Sequence, residues 1–406
     1  MSAAPEWLNA AEASALLGVQ RQTLYAYASR GLVRVRREAG ARVYARADLE
    51  ALRARSQARR GHAAVAGGAL RFGEPVLDTR VSSIGADGPR YRGVSALELA
   101  EKAVSAERVA ELLWTGTLPE REPAWPRPSH AEFTRVVEVR GARPTEIMLR
   151  VLAAEPRELV ASDASPSTEL DGARTLIRKL AAAPALAQND TTLAAALRAP
   201  SLAMCTLTSL GRRRAAGAER ELNRALVLMA DHELNASTFV ARVAASAGAD
   251  LSRALTAAFA TVSGARHGGM CDRLDEVLDG FERPEQALAW VRSELGMRRG
   301  VPGFGHPLYP AGDPRAEPLL RASLELGAKR PRVRAVHVAC EAMALAGGEP
   351  PTVDLGLVAL AAALELPAGS AGALFALGRA LGYVAHVFEQ REQGFLLRPR
   401  AHYVGV

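Results

Sequence analysis

Cysteine and lysine are scarce in this chain of 406 residues. Its three cysteines, Cys205, Cys271 and Cys340, lie far apart, and no CxxC pair occurs. So few cysteines exclude a disulfide framework and give no sign of a structural zinc site. Unpaired cysteines are typical of a reducing compartment, so the sequence predicts a cytoplasmic protein that holds no metal.

Long apolar runs are absent as well. No stretch reaches the roughly 18 uncharged apolar residues that a membrane-spanning helix needs, so no membrane association is expected. The first residues include Glu6 and Glu12 and show no basic start with an apolar run, so we expect no signal peptide. With 49% hydrophobic and 23% charged residues, the composition is that of a globular protein with more than one domain.

The positive charge is concentrated at the start of the chain. Residues 1–60 contain 11 arginines and 5 acidic residues, a net charge of +6, whereas the remaining residues carry 40 basic and 39 acidic groups. Arginine is preferred over lysine throughout, which accounts for the residue type but not for the clustering. A basic segment on a nearly neutral body suggests a nucleic-acid-binding appendage.

Within that segment the pattern indicates two short helices and a basic hairpin. Helix formers fill residues 10–17, and after a break at Gly18 a second helical segment covers residues 20–29. Partly alternating apolar and basic residues at 32–37 and 41–44 then predict a hairpin. This order resembles the winged helix-turn-helix modules of the MerR and excisionase type.

The resemblance implies that the second helix enters the DNA major groove and that the wing contacts phosphates. The start of that helix and the hairpin supply the candidate DNA contacts, which are Gln20, Arg21, Gln22, Thr23, Arg34, Arg36, Arg37 and Arg42. A helical appendage without a DNA-binding role is the alternative. We expect this domain to cover residues 1–58 and a linker to follow at 59–72.

From Ser95 onward the pattern is overwhelmingly helical. Apolar helices are fully buried when they are this long and this uniform, so residues 73–406 are predicted to form a large all-α body. Strand patterns are confined to about 70–92. The long helices are predicted at about 173–184, 219–230, 236–262, 332–346 and 354–365.

Three histidines lie in polar windows that interrupt these helices. His232, His267 and His306 are surrounded by glycines or helix-capping residues, and such junctions expose side chains to clefts. Arg315 follows the third window closely. Asp354 stands in an apolar run, where a carboxylate is either a helix cap or functional.

Seven segments around these residues resemble the citrate synthase family, in order and at plausible spacing. They are YRGVSALELAEKAVSAERVAELLWTGTLP (91–119), ADHELNAST (230–238), HGG (267–269), PGFGHPLYPAGDPRA (302–316), PTVDLGL (351–357), ALFALGRALGYVAHVFEQ (373–390) and RPRAHYVG (398–405). The resemblance covers roughly residues 75–406. It implies a large helical subdomain and a small one at about 270–375.

The family's reaction is the condensation of acetyl-CoA with oxaloacetate, followed by hydrolysis of the thioester to citrate and CoA. The resemblance makes Asp354 the base that removes the methyl proton. It makes His267 the donor to the enol oxygen and His306 the group that polarises and protonates the oxaloacetate carbonyl. It implies no tightly bound cofactor, since acetyl-CoA is a substrate and CoA a product.

Substrate contacts follow from the same resemblance. Arg315 and Arg379 would bind the oxaloacetate carboxylates through their forked donors, together with His232. Arg398 would reach the active site of a partner subunit, which implies a homodimer. The segment expected to contact CoA comprises Pro302, Gly303, Phe304 and Gly305.

Some positions depart from the family. Pro307 and Pro310 stand where basic residues often bind the CoA phosphates, and Arg298 and Arg299 upstream are possible replacements. After the HGG segment, residues 270–272 (Met-Cys-Asp) replace small or amide residues. These changes leave propionyl-CoA, with 2-methylcitrate as product, or another acyl-CoA open as substrate. A metabolite sensor coupled to DNA binding is the second hypothesis, and a scaffold without turnover is the third.

Overall fold

The computed structural model describes residues 7–17, 19–29, 32–38, 41–46, 48–50, 77–136, 139–156, 166–212, 216–297, 300–399 and 403. By their contacts the described residues form two compact units, one up to Asp78 with Pro399 and Tyr403, and one from Thr79 to Arg398. The predicted linker at 59–72, and Arg298 with Arg299, lie outside the described residues.

The first unit is a helix-turn-helix with a three-stranded antiparallel sheet. Its helices are α1 (Ala10–Leu17) and α2 (Arg21–Ser29). The strands are β1 (Trp7–Asn9), β2 (Val35–Glu38) and β3 (Ala41–Ala45), with β3 in the centre. The two helices and the hairpin are confirmed. The sequence pattern did not predict β1, because three residues are too few to show an alternation.

This unit has a hydrophobic core of its own. Residues from both helices and from the sheet contribute to it, so the hairpin is packed against the helices rather than free of them. The Asn9 side chain caps α1 by accepting hydrogen bonds from the N–H groups of Ala11 and Glu12 at 2.9 and 3.0 Å. The buried core residues are Leu8, Ala13, Leu24, Val33, Tyr44 and Leu49.

The second unit is almost entirely helical, which confirms the predicted fold class. A small antiparallel sheet of β4 (Ser82–Gly85), β5 (Gly88–Tyr91) and β6 (Val94–Ser95) precedes the helices. The helices are α3 (Ala96–Glu101), α4 (Ala106–Thr115), α5 (Pro144–Ala154), α6 (Pro166–Ala182), α7 (Asp190–Arg198), α8 (Leu202–Ser209), α9 (Ala218–Met229), α10 (Ala236–Ser246), α11 (Leu251–Val262), α12 (Gly269–Asp279), α13 (Gln286–Gly296), α14 (Ala316–Gly327), α15 (Pro331–Leu345), α16 (Val353–Ala363) and α17 (Ser370–Gln393).

Helix α17 is the centre of this unit. It packs against α9, α10, α11 and α16, and against α4 and α5 on other sides. By length and composition α17 could cross a membrane, but 94% of its most apolar window is buried inside the protein, as in a core helix. The unit therefore buries its longest apolar segment against its own helices.

One predicted helix is two helices in the structure. The single helix expected at 236–262 divides into α10 and α11, with a turn between them. Gly248 has φ of +84°, which favours glycine and ends α10. Asp250 then caps α11 by accepting a hydrogen bond from the N–H of Arg253 at 2.9 Å. The alanine-rich composition on both sides hides this break in the hydrophobic pattern.

Candidate active site

The segment from Pro302 to His306 runs beside residues 350–352, which lead into α16. The N–H of Gly305 donates to the carbonyl of Pro350 at 2.9 Å, and the segment 350–352 donates back to the carbonyl of Gly303 at 2.8 Å. The two glycines have φ of +82° and +80°, conformations that residues with a Cβ rarely adopt. This backbone pairing brings the predicted CoA-binding segment next to the start of α16, where Asp354 lies.

Two of the predicted histidines meet at a buried tyrosine. The Nε2 atom of His232 lies 2.9 Å from the hydroxyl of Tyr309, and the ring centroids of His232 and His306 are 5.5 Å apart. The ring of Tyr309 lies 4.9 Å from that of His306. Burial raises the pKa of Tyr309 to about 12, so its phenol is protonated at neutral pH and can donate. Sequence reasoning missed Tyr309, although it follows His306 by three residues.

Arg315 is buried in a bidentate ion pair with Asp313. Its Nε and Nη2 atoms lie 2.9 and 2.8 Å from the two carboxylate oxygens, and only 2% of Arg315 is exposed. Burial acts to lower the pKa of Arg315, but the neighbouring Asp313 outweighs it and holds the pKa above its usual range. Arg315 therefore stays charged, and Nη1 takes part in neither of these bonds.

Arg379 is equally buried but lacks such a partner. Its Nε donates to the carbonyl of Met229 at 3.0 Å, and its guanidinium carbon lies 5.4 Å from the ring centroid of Phe375. Among the described residues no carboxylate forms an ion pair with it. The nearby Asp231 is held by Ser82 and by His386, whose Nε2 is 3.3 Å away. A buried cation of this kind favours an anionic ligand.

His267 is held by α10 and α17. Its Nε2 atom lies 2.6 Å from Ser237 Oγ and 3.1 Å from Asn235 Oδ1, while the hydroxyl of Tyr383 donates to Ser237 Oγ at 2.7 Å. Burial, and then the positive charge of Arg379, lower the pKa of His267 to about 4. The imidazole is therefore neutral at neutral pH. Burial is the main cause of this shift.

Asp354 lies in the first turn of α16 with both carboxylate oxygens contacted. Oδ1 is 3.5 Å from Cys271 Sγ, and Oδ2 is 3.2 Å from Thr352 Oγ1. Burial raises the pKa of Asp354, and the positive charge of Arg315 partly opposes that effect. A carboxylate with raised basicity at the edge of a buried, positively charged pocket suits a general base.

Electrostatic interactions join these groups into one site. Burial first, and then Arg315 and Arg379, hold the pKa of His232 well below its ordinary value. Burial and Arg315 also lower the pKa of His306. The predicted residues that lie together are thus His232, His267, His306, Arg315, Asp354 and Arg379. Arg398 is exposed, and among the residues that the structure describes no hydrogen bond or ion pair joins it to this group.

The arrangement can bind a small dianion and move protons at its edge. Two buried guanidinium groups supply positive charge, neutral histidines supply donors, and one carboxylate supplies a base. Within the described part of the chain, no group of three or more His, Cys, Asp and Glu side chains is arranged to hold a metal ion. These features make the site a candidate for binding an anionic ligand and for acid–base chemistry.

The candidate DNA contacts divide into two sets in the first unit. Gln20, Arg21 and Gln22 are exposed at the start of α2, and Thr23 is half-buried there. Arg34 is used within the fold, because its backbone N–H, Nε and Nη2 all donate to the Asp48 carboxylate at 2.8 to 3.0 Å.

The other hairpin arginines also differ from one another. Arg36 binds Glu38 at 3.1 Å and lies over the ring of Trp7, 4.3 Å from the centroid. Arg37 and Arg42 are exposed and directly opposite each other across β2 and β3. Neither has an ion pair among the residues that the structure describes.

Comparison with known proteins identifies the family. The profile of the citrate synthase C-terminal domain matches residues 71–400, and that of a helix-turn-helix domain matches residues 7–57. Because the first match covers most of the chain, this protein belongs to the citrate synthase family and carries an N-terminal helix-turn-helix domain.

Individual relatives agree with this assignment. The putative citrate synthase 2 of Mycobacterium tuberculosis is 42% identical over 187 residues, which are 44% of this chain and 49% of the relative. The chain thus spans about half the length of that relative. The 2-methylcitrate synthase of the same organism is 29% identical over 352 residues, 78% of this chain and 84% of the relative.

A solved structure supports the fold. Citrate synthase from Thermoplasma acidophilum, in a ternary complex with carboxymethyl coenzyme A and oxaloacetate, superposes with a TM-score of 0.70. The two sequences are 24% identical, and the superposition covers 84% of this chain and 96% of the solved chain. At this identity the likeness shows the fold alone.

Proposed function

We propose that this protein condenses acetyl-CoA with oxaloacetate and hydrolyses the thioester to give citrate and CoA. The observation that supports it most is the convergence of three neutral histidines, two buried arginines and one basic carboxylate in a single pocket. Membership of the citrate synthase family supports the same reaction. Propionyl-CoA, which would give 2-methylcitrate, is the alternative acyl donor, since relatives of both names are similar to this chain.

In this proposal the two arginines bind oxaloacetate. Arg379 has a buried guanidinium that forms no ion pair with any described carboxylate, although the charge of Asp231 acts on it, so a substrate carboxylate supplies a direct partner. Arg315 is already oriented by Asp313 and offers its remaining nitrogen to the second carboxylate. His232, whose pKa is lowered by the charges of both arginines, adds a hydrogen bond.

Asp354 acts as the base. It removes a proton from the methyl group of acetyl-CoA, and the enol carbon then bonds to the keto carbon of oxaloacetate. The keto oxygen takes its proton from His306. Water then attacks the thioester carbonyl and returns one proton to His306, while the proton held by Asp354 goes to the departing sulfur, so that CoA leaves as the thiol and both residues regain their initial states. No tightly bound cofactor or metal is needed for any of these steps.

His267 stabilises the enol oxygen from its Nδ1 atom. The tautomer that does this has the proton on Nδ1, and it requires Ser237 to donate to Nε2. Tyr383 donates to Ser237 Oγ, so the serine has one proton for two acceptors, Nε2 and Asn235 Oδ1, each 2.6 Å away; the proposal assigns that proton to Nε2. A neutral donor fixed in this way stabilises developing charge without reorganising.

The enzyme is proposed to be a cytoplasmic homodimer. Arg398 is exposed near the end of the second unit, which suits a residue that completes a partner subunit's pocket. Three unpaired cysteines suit a reducing compartment. Arg398→Gln should raise the KM for oxaloacetate. When the Arg398→Gln protein is mixed with the inactive Asp354→Ala protein, hybrid dimers should regain part of the activity, because one of their two sites has both Asp354 and the arginine of the other subunit.

The test of the reaction is release of CoA, measured as free thiol, with oxaloacetate and either acetyl-CoA or propionyl-CoA. Asp354→Ala should lower kcat by about 10²- to 10⁴-fold, because general base catalysis is lost. Asp279→Ala is the matched control, since Asp279 is an exposed partner of Arg332 on α12. Faster turnover with propionyl-CoA would assign 2-methylcitrate synthesis. If a folded protein that binds oxaloacetate releases no CoA with either thioester, the proposed enzymatic activity is overturned. That result would favour the hypothesis of a metabolite sensor coupled to DNA binding.

We propose as a second function that the N-terminal unit binds duplex DNA. Arg37 and Arg42 support it, because like charges placed directly opposite on neighbouring strands destabilise a sheet unless an anion lies between them. A DNA phosphate is such an anion. Arg34 and Arg36 then support the hairpin through Asp48 and Trp7.

DNA binding is tested by fluorescence anisotropy with a labelled random-sequence duplex and with sites selected from a random pool. Arg42→Glu should abolish salt-dependent binding, while its new pairing with Arg37 keeps or slightly raises the melting temperature. Arg127→Glu, the same charge change at an exposed arginine of the second unit, is the control. If Arg42→Glu and Arg127→Glu weaken binding equally, or if no selected site binds better than random DNA, the proposal fails.

A further inference from the structure

The thiol of Cys271 contacts the carboxyl group of Asp354. Its Sγ atom lies 3.5 Å from Oδ1 and 4.0 Å from the backbone carbonyl of Asp354. Cys271 is fully buried in the first turn of α12, and Asp354 lies in the first turn of α16. The two helix starts pack together, so the contact is fixed by the fold and not by a mobile side chain.

The other carboxylate oxygen has a shared donor. Thr352 Oγ1 is 3.2 Å from Asp354 Oδ2 and also 3.2 Å from the carbonyl of Gly303. A hydroxyl has one proton, so Thr352 can serve only one of these acceptors at a time. When it serves Gly303, the thiol of Cys271 is the only side-chain donor to Asp354 among the described residues.

A thiol is a weak hydrogen-bond donor, and the strength of the donor affects how basic the Asp354 carboxylate is. Donors to a carboxylate stabilise its charged form and so weaken it as a base. A hydroxyl or an amide in the place of the thiol would donate more strongly. The thiol orients the carboxyl while it stabilises the anion little.

We propose that Cys271 is a positioning residue that orients Asp354 and preserves its basicity through a weak thiol hydrogen bond. This inference rests on the proposed function of Asp354. It assigns to Cys271 no contact with the substrate and no redox role.

The charged surroundings of Asp354 are otherwise fixed. Arg315 favours its anion and Asp313 opposes it, and these two residues neutralise each other in a buried ion pair. Arg315 and Asp313 are the charged groups that act on the pKa of Asp354. Several charged side chains on the helices packed against α16 have other partners: Asp272 pairs with Arg143, Asp275 with Arg332 and Glu317 with Arg321.

The test measures the pH dependence of kcat/KM for two variants, Cys271→Ser, which replaces the thiol by a hydroxyl, and Cys271→Ala, which removes it. Cys271→Ser should move the acid limb down by about one pH unit, because the stronger donor stabilises the carboxylate, and kcat should fall about threefold. Cys271→Ala should move the limb upward, because the donor is lost. If Cys271 had only a structural role, neither variant would shift the acid limb.

Two further measurements keep the inference separate from the proposed function. Cys205→Ser, the same change at a buried cysteine of α8, should lower stability without moving the acid limb. The infrared S–H stretching band of Cys271, identified by its loss in Cys271→Ser, needs no turnover. It should lie at lower frequency in the unaltered protein than in Asp354→Ala.

The outcomes are distinct. Shifts of the acid limb in opposite directions, with a displaced S–H band, establish the positioning role. Shifts in the same direction, no shift, or an S–H band unchanged by Asp354→Ala would overturn it. Absence of CoA release by the unaltered protein would instead overturn the proposed function, and the infrared band would still decide whether the thiol binds Asp354.

Discussion

Arg315 and Asp313 form a buried ion pair that also reaches the helix of the proposed base. Both oxygens of Asp313 bind the guanidinium at 2.8 to 2.9 Å, and Oδ2 accepts a further hydrogen bond from the N–H of Val353 at 3.1 Å. The arginine proposed to bind oxaloacetate and the start of α16 are therefore held by one carboxylate.

This relationship predicts the effect of Asp313→Asn. The variant leaves a buried cation without its counter-charge, so the free energy of unfolding should fall by about 3–5 kcal/mol in urea titrations. Oxaloacetate supplies negative charge, so it should stabilise the variant more than the unaltered protein. Glu317→Gln, which removes an exposed pair with Arg321, should change stability by less than about 1 kcal/mol. Equal losses in both variants would refute the argument.

Ser237→Ala should separate tautomer control from substrate binding. Without the Ser237 hydroxyl, Nε2 of His267 loses the group to which we assign the placement of the proton on Nδ1. We expect kcat for CoA release to fall about 10²-fold with little change in the KM for oxaloacetate. Ser209→Ala, at a buried serine that binds the carbonyl of Ala181, should affect stability only. A rise in KM with unchanged kcat would contradict the assigned role.

Stability should depend on pH through His267. Its folded pKa of about 4 lies below the ordinary value of about 6.5, so between these values the unfolded chain binds a proton that the folded protein does not. The stabilisation is complete above pH 6.5 and is lost as the pH falls toward 4. For this residue it amounts to at most about 3 kcal/mol. His267→Gln should reduce the dependence of the free energy of unfolding on pH, measured by urea titrations between pH 4 and pH 7.

Two glycine substitutions should have opposite effects on stability. A Cβ at Gly378 of α17 would lie 2.6 Å from Met229 Cβ and 3.0 Å from the carbonyl of Leu226, so Gly378→Ala forces α9 and α17 apart. The loss should be at least about 1–3 kcal/mol. At Gly172 of α6 nothing lies within 4 Å, so Gly172→Ala should stabilise by about 0.5–1 kcal/mol. Thermal unfolding of both variants decides this.

The sequence by itself determined the fold class, the helix-turn-helix and the order of the histidine, arginine and aspartate segments. These properties follow from local propensity, hydrophobic periodicity and motif spacing, which depend on residues that are close together in the sequence. The polar windows pointed to three histidines, Arg315 and Asp354, the resemblance to the citrate synthase family added Arg379, and the basic hairpin supplied its arginines.

The tertiary structure decided which side chains meet. Tyr309 and Ser237 lie in or beside predicted motifs, yet their bonds to His232 and His267 depend on segments that fold together from distant positions. The neutral state of His267 likewise comes from burial rather than from its local sequence. Arg34 and Arg37 look alike in the sequence, but only the packing of Asp48 distinguishes them. A single sequence carries no signal for which distant segments meet or for how deeply a given polar side chain is buried. These two properties set the partners and the charge of each polar group in the site.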